Sequence, residues 1–247
     1  MKRFWVSLLT VLIYALAQFL PGMLLRSGLI QTEKGMETTQ FMIYTQVSLF
    51  IVAAILIILI NLYIKNPTRL EAGVKESKRY IISWALLGFC IVMVYQVVVS
   101  LIYTLVLGQQ QQSPNTERLM AIAKQMPVFI ILISVVGPIL EEFVFRKVLF
   151  GELYNAIKGN RIVAFLIASI VSSLLFALAH NDIKFLPMYF GMGMLFSLAY
   201  TYTNRIAVPI VIHMLQNGTV VIMQVFGGEA LKKVQEQANF IIHLILN

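Results

Sequence analysis

Two adjacent glutamates stand inside an apolar segment of the chain, where charged groups are rare. Glu141 and Glu142 are flanked by Ile139-Leu140 and Phe143-Val144. Left charged and unpaired in lipid, such groups cost on the order of several kcal/mol, so by default they mark function. Arg146 follows Glu142 by four residues, which places both on one helix face as a favourable ion pair. Glu141 points about 100° away, so it stays available as a general base.

Two further polar clusters contain histidine and also have helical spacing. Phe176 and His180 are four residues apart, as are His213 and Asn217, so each pair shares a helix face. Taken singly, each histidine could be an interfacial residue or a hydrogen-bond partner between helices. Together with Glu141 they form the minimum set for activating a water and stabilising an oxyanion. The glutamate and both imidazoles could also hold Zn²⁺ with an open fourth position.

Helices that lie in lipid must position these side chains. Of the 247 residues, 59% are hydrophobic and 12% are charged, against about 45–50% and about 25% in soluble domains. This excess of hydrophobic residues is more than one globular core can bury, so lipid must surround the protein. The apolar runs are continuous, as in membrane helices, and do not alternate with polar residues as in β-barrel strands. We expect an all-α polytopic bundle of seven or eight spans, in which residues 1–247 form a single integral membrane domain.

Seven stretches are long and apolar enough to cross a hydrocarbon layer of about 30 Å. The first is interpreted as an uncleaved span, because its apolar run exceeds a typical signal-peptide core. A weaker segment from Ala230 to Leu246 could form an eighth, tilted span. The motifs occupy the last four strong stretches, so 127–226 is the predicted catalytic core. The predicted spans are 4–25, 41–64, 80–107, 127–150, 162–180, 185–203 and 206–226.

The basic residues predict the orientation. Formal net charge is +8, and the basic loop at 65–79 favours a cytoplasmic N-terminus by the positive-inside rule. These charges suit anionic lipid, so no nucleic-acid partner is expected. We expect a multi-pass protein of the cell membrane whose partners are lipid and a peptide or small membrane-protein substrate. The polar 108–116 segment is predicted to be a mobile outer loop.

The three clusters together resemble the motifs of a known family. Glu-Glu-x-x-x-Arg at 141–146, Phe-x-x-x-His at 176–180 and His-x-x-x-Asn at 213–217 are similar to those of the CPBP family. This family comprises the CAAX proteases and bacteriocin-processing intramembrane endopeptidases. The motifs occur in family order, and Gly137-Pro138 precedes the acids. Each motif alone is weak, but the ordered set in membrane-type helices is specific.

The resemblance implies an intramembrane endopeptidase that hydrolyses a peptide bond with a glutamate-activated water. By position, Glu141 is the general base with His180 as its partner, and His213 with Asn217 forms the oxyanion site. Family members are often described as metalloproteases, and the resemblance leaves open whether Glu141, His180 and His213 hold a metal such as Zn. The positions that it assigns to structural support are Glu142, Arg146 and Phe176.

The resemblance also implies the substrates, and two other functions compete with it. Family substrates are prenylated CAAX proteins or small secreted peptides such as quorum-sensing signals, and a chain this short favours the peptides. A proton-coupled transporter would use the same groups as a relay, but inverted repeats with interrupted helices in both halves are not apparent. A non-enzymatic scaffold or immunity protein on a protease fold is the other alternative, and the intact motifs disfavour it.

Ideal helix geometry gives conflicting heights for the motifs. If the fourth and fifth stretches turn near Gly159, then Glu141 and His180 both lie roughly 27–32 Å from that turn. His213 lies only roughly 13 Å from the next turn on the same side, a mismatch of about 15 Å. Either the hairpin protrudes, which would open the site toward the cytoplasm, or the later helices tilt or break at their prolines.

Overall fold

The computed structural model describes residues 2–28, 36–65, 67–107, 113–228 and 237. Within these ranges the fold is helical and contains no strand. Seven helices are long and apolar enough to cross a membrane, so the predicted all-α, multi-span architecture is confirmed. The helices are α1 (Lys2–Arg26), α2 (Met36–Tyr63), α3 (Ile81–Leu107), α4 (Pro114–Gln125), α5 (Val128–Ala156), α6 (Arg161–Ala179), α7 (Leu186–Thr203) and α8 (Ala207–Phe226).

The short helix α4 corrects the predicted 108–116 loop. Ser113 caps it, because the Ser113 hydroxyl accepts a hydrogen bond of 3.2 Å from the Thr116 amide. Pro114 occupies the first turn, where its missing N–H leaves no hydrogen bond unmade. The last part of the predicted loop is therefore helical, while residues 108–112 lie outside the described ranges. With 12 residues, α4 is too short to span a bilayer.

The helix α5, which carries both glutamates, is the most deeply buried of the seven spans. In its most apolar 18-residue segment, 61% is buried, whereas the corresponding segments of the other six spans are 17–39% buried. It contains two π-helical stretches, at Leu132–Val136 and Glu142–Phe150, and such turns concentrate at functional sites. Because π-turns hold more residues than the 3.6 of an ideal turn, heights calculated from ideal geometry do not apply to this helix.

Small residues let the motif-bearing helices approach one another closely, as bundles in lipid require. A Cβ on Gly193 of α7 would lie 2.7 Å from the Cβ of Ser173 in α6. The neighbouring Ser172 donates a hydrogen bond of 2.5 Å to the Phe145 carbonyl of α5. These contacts hold α5, α6 and α7 side by side around a core rich in buried aromatic side chains.

Ion pairs fix the end of the bundle that carries the N-terminus. Arg3 of α1 is 3.0 Å from Glu152 of α5, and Lys147 is 3.3 Å from Glu71 in the loop after α2. We call this the basal end, defined by Arg3, Glu71 and Glu152. Three spans separate α4 from the N-terminus, so α4 lies at the opposite end, here called the α4 end.

The predicted eighth span is the one part of the architecture that the structure leaves untested. The segment from Ala230 to Leu246 lies outside the described residues, apart from residue 237. The seven spans that are described lie within a few residues of their predicted bounds, except that α5 runs on to Ala156.

Candidate active site

The first and third motifs meet at His213 of α8. Its Nδ1 is 2.9 Å from Oε1 of Glu142, and its Nε2 is 3.9 Å from Oε2 of Glu141. A carboxylate only accepts hydrogen bonds, so Nδ1 carries a proton and donates it to Glu142. With this hydrogen bond made, Nε2 of the imidazole faces Glu141. The 15 Å mismatch from ideal helices is therefore absent in the folded bundle.

The predicted ion pair within the first motif is present and fully buried. Nε of Arg146 is 3.2 Å from Oε2 of Glu142, and neither side chain is exposed. The guanidinium also lies 4.2 Å from the ring centre of Phe176 and 5.1 Å from that of Phe196. Such aromatic faces attract a cation, so the Arg146 charge is balanced by one carboxylate and two rings. Glu142 thus serves two partners, Arg146 and His213.

The second motif places His180 immediately after the last residue of α6. Its Nδ1 is 2.7 Å from the Phe176 carbonyl, which only accepts, so Nδ1 is the donor and Nε2 of the neutral ring keeps a free lone pair. The imidazole stacks on Tyr189, with ring centres 4.0 Å apart. Phe176 contacts both histidine rings, at 4.6 Å from His180 and 5.9 Å from His213. It therefore packs between the second and third motifs.

Asn217 lies one turn after His213 and faces α5. Its Nδ2 donates a hydrogen bond of 3.0 Å to the carbonyl of Ile133, within the first π-helical stretch. One amide N–H is thereby fixed, and the second N–H of the same nitrogen remains to donate. Glu141 lies within electrostatic range of His180. The structure therefore brings together all four residues that were predicted to be catalytic.

A cavity of about 450 Å³ leads from the motif residues to the α4 end. His180, His213 and Asn217 form part of its wall. This volume lies within the range of about 300–1,000 Å³ that is typical of ligand sites. The cavity therefore reaches the end of the bundle opposite the N-terminus, while the protruding-hairpin alternative stays a prediction. The residues that α4 and its cap contribute to the wall include Ser113, Asn115, Glu117 and Lys124.

The donors that could bind zinc are present, but the described part of the chain does not gather three of them around one point. Among the described residues, no group of three or more His, Cys, Asp or Glu side chains is placed to hold a metal ion. Nδ1 of His180 and Nδ1 of His213 each donate to another acceptor, which leaves Nε2 of both rings as the nitrogen that a ligand could reach. A zinc site requires three protein ligands at about 2.0–2.2 Å around one point. The metal therefore stays a prediction of the sequence.

Comparison with known proteins decides the family. The model of the type II CAAX prenyl endopeptidase Rce1-like family matches residues 123–219. The membrane-embedded CAAX protease MroQ of Staphylococcus aureus (strain USA300) is 63% identical over 246 residues, covering 100% of both chains. The chain belongs to the CAAX protease family. The putative membrane peptidase YdiL of Bacillus subtilis (strain 168) is 34% identical over 250 residues, covering 99% of this chain and 97% of YdiL.

Membership of the CAAX protease family confirms the predicted enzyme class. The matched segment 123–219 contains all three motifs, and two full-length relatives carry the names of membrane peptidases. The protein is thus a membrane-embedded endopeptidase. The ordered motifs predicted this class in preference to a transporter or an inactive scaffold. No solved structure matches the chain.

Two aromatic side chains at the site were not predicted from the sequence. Phe196 stacks on His213 with ring centres 5.0 Å apart and an interplanar angle of 28°. Tyr189 stacks on His180 at 24°. Both residues belong to α7 and are seven apart, so they lie on one helix face two turns from each other. That i, i+7 spacing of two aromatics was the available signal, but the same spacing is common in ordinary packing faces.

Proposed function

We propose that the protein cleaves a membrane-associated peptide with a water that Glu141 activates. The observation that carries this proposal is the difference between the two adjacent glutamates. Glu142 is fully buried against Arg146 and His213, whereas the Glu141 side chain keeps 23% of its surface exposed. Glu141 is therefore the carboxylate with free surface and no ion-pair partner of its own in Arg146, and a general base must be free to contact the proton that it abstracts.

The reaction follows from the groups around Glu141. Glu141 takes a proton from the water, and the water oxygen forms a bond to the carbonyl carbon of the peptide. Glu141 then gives that proton to the leaving nitrogen as the C–N bond breaks, which restores the carboxylate. Nε2 of His180 has a free lone pair, so it accepts a hydrogen bond from the same water and orients it. Products are one new carboxylic acid and one new amine.

The oxyanion that forms in this step needs hydrogen-bond donors, and our proposal assigns this role to His213 and Asn217. Nδ1 of His213 is committed to Glu142, so donation from Nε2 requires the doubly protonated ring. The free N–H of Asn217 supplies the second donor.

Replacing Asn217 with alanine should lower kcat by roughly 10²–10³-fold, because one preorganised oxyanion donor is removed. KM for a membrane-associated peptide should change little, since this donor acts in the transition state rather than in the bound substrate. The measurement is steady-state cleavage by the protein reconstituted in lipid. Thr219→Ala is a matched control on the same helix, where the lost hydrogen bond goes to the Leu215 carbonyl. A rise in KM with normal kcat would assign Asn217 to substrate binding.

The direction in which the cavity opens supports a secreted peptide as substrate. Basic residues in the loop after α2 place the basal end in the cytoplasm by the positive-inside rule. The α4 end, where the cavity opens, then faces the outside of the cell membrane. A peptide on its way out of the cell reaches this opening, whereas a protein anchored to the cytoplasmic leaflet does not. The substrate that we propose is therefore a small secreted signalling peptide.

Cysteine labelling on intact cells should report this orientation. In a Cys90→Ala background, Arg118→Cys in α4 should react with a membrane-impermeant maleimide. Lys75→Cys, in the basal loop, should react only after the cells are permeabilised. Both side chains are exposed in the fold, so a difference in labelling reflects the membrane and not burial. The reverse pattern would place the cavity on the cytoplasmic side and remove the argument for a secreted substrate.

A further inference from the structure

Each histidine of the site is held by two contacts of the same kind. His213 donates from Nδ1 to Glu142 and stacks on Phe196. His180 donates from Nδ1 to the Phe176 carbonyl and stacks on Tyr189. A single hydrogen bond leaves a ring free to rotate about it, and the aromatic face removes that freedom. Tyr189 therefore limits the rotation of the His180 ring in the same way that Phe196 limits that of the His213 ring.

Tyr189 differs from Phe196 in having a hydroxyl, and this hydroxyl lies in a network at the N-terminus of α4. The Ser113 hydroxyl is 2.6 Å from the Asp182 carboxylate and 3.0 Å from the Tyr189 hydroxyl. A carboxylate only accepts, so Ser113 donates to Asp182 and must accept from Tyr189. The Asn115 amide in turn donates to the Tyr189 hydroxyl at 3.4 Å. Because the Asp182 carboxylate can only accept, each hydroxyl in the network donates toward Asp182.

This network joins α4 to the turn that carries His180. Asp182 is two residues after His180 and is buried, as is Tyr189. Ser113 is the N-cap of α4. Its hydroxyl also bonds Tyr189, whose ring stacks on the His180 imidazole, so Ser113 links the start of α4 to that stack. A shift of α4 therefore changes the position of Tyr189, and with it the plane of the His180 ring. Asn115 and His180 also line the same cavity.

We propose that Tyr189 is a positioning residue for His180, and that its hydroxyl makes the orientation of the imidazole depend on the docking of α4. This inference rests on the proposed function, in which Nε2 of His180 orients the attacking water. The ring of Tyr189 fixes the imidazole plane, and the hydroxyl fixes the ring. Tyr189 contacts neither the water nor Glu141 in this scheme and acts only through His180.

The test uses the full-length protein reconstituted in lipid with a membrane-associated peptide. Tyr189→Leu removes the aromatic face and should lower kcat by roughly 10- to 100-fold, since small misplacements of a catalytic group have effects of that size. Tyr189→Phe removes both hydrogen bonds to α4, and Ser113→Ala removes the shorter one, so each should lower kcat less than Tyr189→Leu does. The double variant should lower kcat no more than Tyr189→Phe does alone. Tyr95→Phe is the matched control, because its hydroxyl also bonds α7, at the Pro187 carbonyl, and it should have normal kcat.

Combination with His180→Ala separates positioning from general stability. Because Tyr189 acts through His180, Tyr189→Leu should cause no further loss of kcat when His180 is already alanine. An equal loss in both backgrounds, or additive effects of Tyr189→Phe and Ser113→Ala, would overturn the inference while leaving the proposed function intact. Normal cleavage by His180→Ala alone would overturn the proposed role of His180 itself. If Tyr189→Leu does not fold, the pair Tyr189→Phe and Ser113→Ala still decides the outcome.

Discussion

Replacing Glu141 with glutamine should lower kcat for peptide cleavage by roughly 10⁴-fold, the upper range for loss of a general base. Glutamine keeps the shape of the side chain, but its amide cannot take a proton from water. Folding should be preserved, because Glu141 is partly exposed and is not the partner of Arg146. The measurement is single-turnover cleavage by the reconstituted protein, which separates chemistry from substrate binding.

A graded series around Glu141 distinguishes a base from a structural acid. Glu141→Asp keeps the carboxylate but withdraws it by one methylene, and a shift of about 1 Å should lower kcat by roughly 10²-fold. Glu152→Gln is the matched control, since it lies on the same helix at the basal end and pairs with Arg3. Its kcat should be that of the wild type. Undiminished turnover by Glu141→Gln would remove the mechanism.

The spans were predictable because the signal for them is large and local. About 20 consecutive apolar residues leave few alternatives to a membrane helix, and the turns between spans contain the polar residues. The motif spacing was equally informative for Glu142 and Arg146, which pair as the i, i+4 rule requires. Within one helix, periodicity determines which side chains are neighbours, so such pairs follow from sequence.

The heights at which different helices meet could not be predicted in the same way. The relative level of His213 and Glu141 depends on the π-helical stretches of α5, and periodicity assumes the 3.6-residue turn. The predicted polar loop at 108–116 is wrong at residues 114–116, which are helical. A serine followed by proline begins a helix whose amphipathic residues carry no strong hydropathy signal.

Contacts between the motifs and the rest of the chain were also invisible in the sequence. Tyr189 faces His180, and Phe196 faces His213, yet nothing in a single sequence separates these rings from the many other aromatics of the core. The packing of α7 against α6 and α8 creates the contacts. Type and spacing therefore picked out four side chains that the fold brings together, while the aromatic rings that contact the two histidines became visible only in the folded structure. Their roles in the reaction remain for the variants above to test.

Replacing Glu142 with glutamine should lower the free energy of unfolding by about 3–5 kcal/mol, the usual result of breaking a buried ion pair on one side. Arg146 is fully buried and has no other carboxylate that the described residues place within salt-bridge distance. Its cation would be left with only the rings of Phe176 and Phe196. The measurement is reversible unfolding of the protein in mixed micelles, compared with Glu141→Gln, which should be close to the wild type.

The double variant Glu142→Leu/Arg146→Met separates stability from catalysis. Removing both charges should restore most of the lost stability, because a buried pair is often replaceable by apolar side chains of similar volume. Cleavage should not return, since His213 loses the Glu142 acceptor that holds Nε2 toward Glu141. Comparable losses follow when the group that orients a catalytic imidazole is removed. If the stabilised double variant cleaves normally, Glu142 acts only as a partner for Arg146, and the orientation of His213 must come from the stack on Phe196 alone.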